Sequence, residues 1–157
     1  MIKINVVWLL LIFALQTSCD EDYVKLYKDN TELLNETAFL LTNEYENIIN
    51  SDTCSRKKQI NYYIKKNIML SCNVNVSAQL MNNLNKLFSE DLLTTIVGNK
   101  NYVEFYWKRE VDAGISTVYS FVYINDGNYI NNLKNDTNAY VKQMNPKWFF
   151  IKYENDD

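Results

Sequence analysis

The 157-residue chain contains no histidine. That absence removes the usual general base near neutral pH, the commonest zinc ligand and every catalytic triad built on imidazole. An enzyme here would work with carboxylates, lysine, tyrosine or thiolate alone, so we read the chain as non-catalytic, with no metal and no cofactor. Glycine (three) and proline (one) are sparse against 23 asparagines. This composition resembles the drift of an AT-rich genome, which strips the asparagine and lysine counts of functional weight. Excess positive charge is also missing: the net charge is −3 with Lys3 included and −4 without it, which argues against bulk attraction to nucleic acid. What is present is 47% hydrophobic and 22% charged residues, the balance of one ordinary globular domain.

The stretch LLLIFALQTSCDEDYV runs from an apolar block into Cys19 and three acids. Lys3 supplies a positive start, Val6 to Leu15 has no polar break, and Gln16-Thr17-Ser18 forms a small polar exit. This is a signal-peptide pattern over residues 1–18; its apolar run is well short of the roughly 20 residues a spanning helix needs. Two processing routes are open. A cut after Cys19 would release a free secreted protein, whereas a cut before it would keep Cys19 as the first residue.

Leu15-Gln16-Thr17-Ser18-Cys19 resembles the lipobox of bacterial lipoproteins, with Gln16 departing from the usual Leu. Asp20, Glu21 and Asp22 are similar to the acidic tether behind the lipidated cysteine in surface lipoproteins of Bacteroidota. The resemblance implies a lipid on Cys19 and anchoring at a membrane surface or in the periplasm; the alternative is a freely secreted, extracellular protein. Either route leaves Cys54 and Cys72 as a pair for an oxidising compartment. Three Asn-x-Ser/Thr triplets begin at Asn35, Asn75 and Asn135, about the number chance gives at this asparagine content.

After a polar tether over residues 19–29, residues 30–157 read as a single α+β domain: N-terminal helices, then a C-terminal antiparallel meander. Leu34, Ala38, Leu41, Tyr45 and Ile48 recur at helical spacing, with Asp29 and Glu32 placed as a capping box. A second helix opens at Ser77 as N-cap and carries Leu80, Leu84, Leu87 and Phe88 on one face. Ile60, Ile64 and Ile68 also fit a helix. An unbroken helix from Cys54 to Cys72 would hold the two cysteines about 27 Å apart, against the roughly 7 Å limit of a disulfide. A helix of about 11 residues followed by a returning strand from Ile68 lets them pair. Beyond Gly98 the period becomes two: Tyr102–Arg109, Ile115–Ile124 and Lys147–Tyr153 read as strands, and YINDGNYI as a hairpin turn.

Tyr102, Phe105, Tyr106, Trp107, Tyr119, Phe121, Tyr123 and Trp148 crowd these strands. One sheet face must be core; Tyr102, Tyr106, Tyr119 and Tyr123 are the candidate binding face for an unknown protein or ligand. Arg56, Lys57, Lys58, Lys65 and Lys66 form a basic cluster, which we read as a solvated helix face rather than a phosphate or anionic-lipid site. The turn Asn125–Asn128 lacks the spaced acids of a calcium loop. LNETAFLL, LFSEDLL and VYSFVYINDG are also similar to the C-terminal third of carboxylesterase-type α/β-hydrolases, a resemblance that implies Glu36 as triad acid and Val118, Tyr119, Phe121, Tyr123 and Gly127 on a core strand. The family's Gly-x-Ser-x-Gly elbow and His motif are absent, so it implies no esterase activity.

Overall fold

Apolar residues at helical spacing continue further toward the N-terminus than the capping pattern suggests. In a computed structural model, which describes residues 6–51, 60–63, 76–89, 92–112, 114–125 and 128–156, α1 runs unbroken over Val6–Asn43. Side chains are described in it from Asp22 onward, except at positions 51, 60–63, 128, 132 and 156. Residues 19–29, expected as a polar tether, are helical. Tyr23 and Tyr27 explain this: they precede Leu34 at helical intervals and, like it, are buried. The Asp29/Glu32 pair therefore lies inside the helix. There Asn30 Nδ2 donates to Leu26 O (3.0 Å) and Thr31 Oγ1 to Tyr27 O (2.6 Å). The chain divides into a unit of residues 1–34 and a compact unit of residues 35–157. Among the described residues no helix is long and apolar enough to cross a membrane.

Within the second unit α1 bends at Glu44 into α2 (Tyr45–Ser51). Ala38, Leu41, Tyr45 and Ile48 are all buried, as their spacing predicts. The short strand β1 (Ile60–Tyr63) follows, where the isoleucine spacing had suggested helix. Pairing with the strand β2 (Thr95–Gly98) decides the matter; local period is weak over four residues, and Tyr62 and Tyr63 favour strand. Cys54, Cys72 and all five residues of the basic cluster lie outside the described residues.

Helix α3 (Ala78–Ser89) starts where Ser77 predicts, with Ser77 Oγ accepting from Leu80 N at 3.2 Å. Leu80, Leu84 and Leu87 are fully buried. Strands β3 (Tyr102–Asp112) and β4 (Ile115–Ile124) form a long hairpin turned at Gly114, whose φ of 85° suits glycine. Beyond β4 the predicted hairpin does not form. Asn128–Lys134 is helix α4, because Tyr129, Ile130 and Leu133 share a helical face that packs on Val122, Ile124, Phe149 and Ile151. Strand β5 (Ala139–Gln143) had no sequence signal; β6 (Trp148–Asp156) matches the strand expected there.

The architecture is α+β with an antiparallel sheet, as expected. Among the described residues the strands lie in the order β1-β2-β3-β4-β6-β5, so the meander holds as far as β4 and β6 then inserts between β4 and β5. Both sheet faces are covered over most of their length. The first bears Ile96, Val103, Phe105, Phe121, Tyr123, Trp148 and Phe150, all buried. Its Trp148 donates from Nε1 to Asn35 Oδ1 of α1 (2.6 Å), which places the helical layer there. The second carries the α4 cluster.

Candidate functional site

Strand register assigns each candidate tyrosine to a face, since directly paired residues project on the same side. Tyr102 pairs with Ile124 and Tyr106 with Ser120, whereas Tyr123 pairs with Val103. Tyr102 and Tyr106 thus lie on the α4 face, and Tyr119 and Tyr123 on the other. Tyr123 is buried against Trp148, ring centroids 5.4 Å apart. Tyr102 stacks on Tyr129 of α4 at 3.7 Å and 5°. The four tyrosines form no common surface: Tyr102 and Tyr106 are half-buried on the α4 face, and Tyr119 borders an open surface on the other.

That open surface is the end of the first face. A register shift between Tyr106 and Lys108 leaves Trp107 unpaired and moves the rest of β3 to the opposite side from where simple alternation puts it. Lys108 therefore pairs with Tyr119, Tyr119 with Lys152 and Lys152 with Tyr140. One row, cation–aromatic–cation–aromatic, crosses four strands. The next row is Glu110, Thr117 and Glu154. Lys108 is ion-paired with Glu110, Lys152 with Glu154 at 2.6 Å, and Tyr119 Oη donates to Glu110 Oε2 at 2.9 Å. The Lys108 ammonium and the Tyr119 hydroxyl bonded to Glu110 hold its carboxyl below the ordinary range. Trp107 lies beside the first row, its ring 6.2 Å from Tyr119 and 6.3 Å from Phe121. Tyr140 is 50% exposed. This arrangement offers aromatic faces, each bordered by a charge already compensated along its own strand.

A second constellation is closed. Glu104, 8% exposed, accepts from Ser120 Oγ (2.7 Å) and Tyr129 Oη (3.1 Å). Burial pushes its carboxyl up, and the bonds from Ser120, Tyr106 and Tyr129 pull it partly back. Burial also raises Tyr129, and the neighbouring Glu104 charge adds to the effect. Glu104 shares its strand face with Tyr102 and Tyr106.

Glu36 has a structural task. Its carboxylate accepts from Gln79 Nε2 and, at 2.8 Å, from the buried Asn83 Nδ2. Glu44, two turns on, accepts from Ser77 N (2.8 Å) and Ser77 Oγ (2.5 Å). Glu36 of α1 and Glu44 at the bend after it thereby grip the flank and start of α3. Cys19 lies within α1, but its side chain is not among those described. Among the described residues no cluster of acids or thiols could hold a metal ion.

No protein-family model matches the chain, and no curated protein or solved structure matches it significantly.

Proposed function

We propose that the chain is an exported, lipid-anchored interaction protein without catalytic activity, held through Cys19 and binding a partner protein with the open end of its sheet. The observation that carries the binding half is the cross-strand row Lys108–Tyr119–Lys152–Tyr140 with Trp107 beside it. Tyrosine and tryptophan anchors rimmed by charge are the composition of protein interfaces. The lysines, already paired with Glu110 and Glu154, give the surface no net attraction for polyanions. The leader pattern and the acids after Cys19 support the anchoring half.

A photo-crosslinking residue at Tyr140 tests the surface. In cells of the native host it should give a discrete protein adduct that excess wild-type chain competes away and a Tyr140→Ser/Lys152→Glu chain does not. Equal competition by both chains would remove this surface from consideration. Anchoring is read by the intact mass of the mature protein: a start at Cys19 with acyl mass is expected, and Cys19→Ala should leave the membrane fraction. A free amine at Asp20 would favour the second reading, a soluble secreted modulator of a partner or host, for which Gln16 in the lipobox speaks.

A further inference from the structure

Glu104 is a carboxyl group enclosed where nothing about the fold demands one. It sits mid-strand under a helix of seven residues, α4, whose seating otherwise depends on Ile130 and on the partly buried Tyr129 and Leu133. The groups facing it are hydroxyls. From β3 comes Tyr106, with Tyr102 stacked on Tyr129; from β4, Ser120; from α4, Tyr129. Lys134, the basic residue of α4's last turn, lies over the Phe149 ring instead, 5.6 Å from its centroid. The flanking β2 partner is Val97; β6 and β5 supply Phe149, Ile151 and Val141, with Tyr153 further along β6 bonded to Asp136. A neutral carboxyl fits this setting: it shares hydrogen bonds with the hydroxyls and carries no charge to desolvate. An ionised one brings an uncompensated charge between sheet and helix.

We propose that α4 is a proton-operated cover: with Glu104 neutral it stays seated on the sheet, and with Glu104 ionised it lifts and uncovers Val122, Ile124, Phe149 and Ile151. Tyr129 is the α4 residue that bonds Glu104 directly; its hydroxyl favours the carboxylate and so opposes the lift that burial of the charge drives. The sign follows from linkage. A carboxyl raised in the closed state binds its proton more tightly there than in the open one. Closure is therefore strongest below the ordinary carboxyl value and weakens as pH rises toward the raised one. The lift exposes this apolar patch in neutral surroundings, and closure buries it in acidic ones. The proposal is independent of the Trp107–Tyr140 surface, which lies on the other face.

Hydrogen exchange of the full chain, read in peptides spanning residues 124–138 from pH 4 to 8 and corrected for intrinsic rates, is the test. Protection of α4 should fall with pH, by up to about tenfold per unit for a single linked proton, while protection in the β3–β4 ladder stays level. Glu104→Gln, a permanently neutral analogue, should abolish the slope. Tyr129→Phe removes a donor to the carboxylate and should extend the fall to higher pH. Constant protection of α4 in the wild type, an unchanged slope in Glu104→Gln, an unmoved fall in Tyr129→Phe, or a parallel loss across the β3–β4 ladder would each overturn the proposal.

Discussion

Trp148 joins the two layers of the folded unit, and cutting that joint is a quantitative test of the packing. Its indole is 1% exposed, lies 5.5 Å from the Phe105 ring and 5.4 Å from Tyr123, and donates from Nε1 to Asn35 Oδ1. Trp148→Phe removes part of a buried ring system. At about 0.8 kcal/mol per buried carbon the ring atoms lost cost about 2 kcal/mol, and the cavity left behind adds to this. Asn35→Ala removes the acceptor alone. Because Asn35 itself is solvent-exposed, water takes over part of its role, and the cost sits near the low end of the range for an orphaned buried donor, about 1 kcal/mol. In the double variant the donor and acceptor are both gone, so the two costs overlap by about 1 kcal/mol. Urea unfolding by circular dichroism on all four proteins gives the cycle. A coupling below about 0.3 kcal/mol would refute the bond as a link between helix and sheet, since that is the scatter of independent sites.

Two other sites give sharp expectations. A Cβ on Gly98 would meet Tyr102 O at 2.7 Å and Val103 Cα at 3.0 Å; Gly98→Ala should therefore cost about 1–3 kcal/mol as overpacking, and an unchanged melting temperature would mean that β2 and β3 are further apart than described. Glu36→Ala leaves the buried Asn83 amide without its acceptor and should lower stability by about 1–3 kcal/mol, whereas Glu36→Gln keeps an acceptor and should cost less. Equal urea midpoints for wild type and Glu36→Ala would remove the α1–α3 clamp.

The parts of the fold that local chemistry dictates were legible from the sequence, and those that depend on pairing were not. Ser77 caps α3 because a hydroxyl next to free backbone N–H groups has the same use in any context. The stripe from Leu34 to Ile48 reads directly as a buried helix face. The segment after Ile124 shows the limit. Asn-Asp-Gly-Asn favours a hairpin locally, but Tyr129, Ile130 and Leu133 gain more by closing over Val122 and Phe149 as a helix. That gain is invisible until β4 and β6 are known to be neighbours.

The candidate site turns on a single residue. Counting by twos along Tyr102–Arg109 places Lys108 with Tyr102, Glu104 and Tyr106. The bulge at Trp107 reverses the parity and sends Lys108 and Glu110 to the opposite face, alongside Tyr119. One extra residue thus separates two environments on one strand. Before it, Glu104 and Tyr106 lie on the α4 face, with Glu104 buried among hydroxyls. After it, Lys108 and Glu110 extend an open row that needs Lys152 and Tyr140, from strands β6 and β5, to be complete. Alternation cannot reveal a bulge, because the extra residue is defined by the partner strand it fails to pair with. The same displacement leaves Trp107 without a cross-strand partner, where its ring borders Tyr119 on the open row and Phe121 in the core.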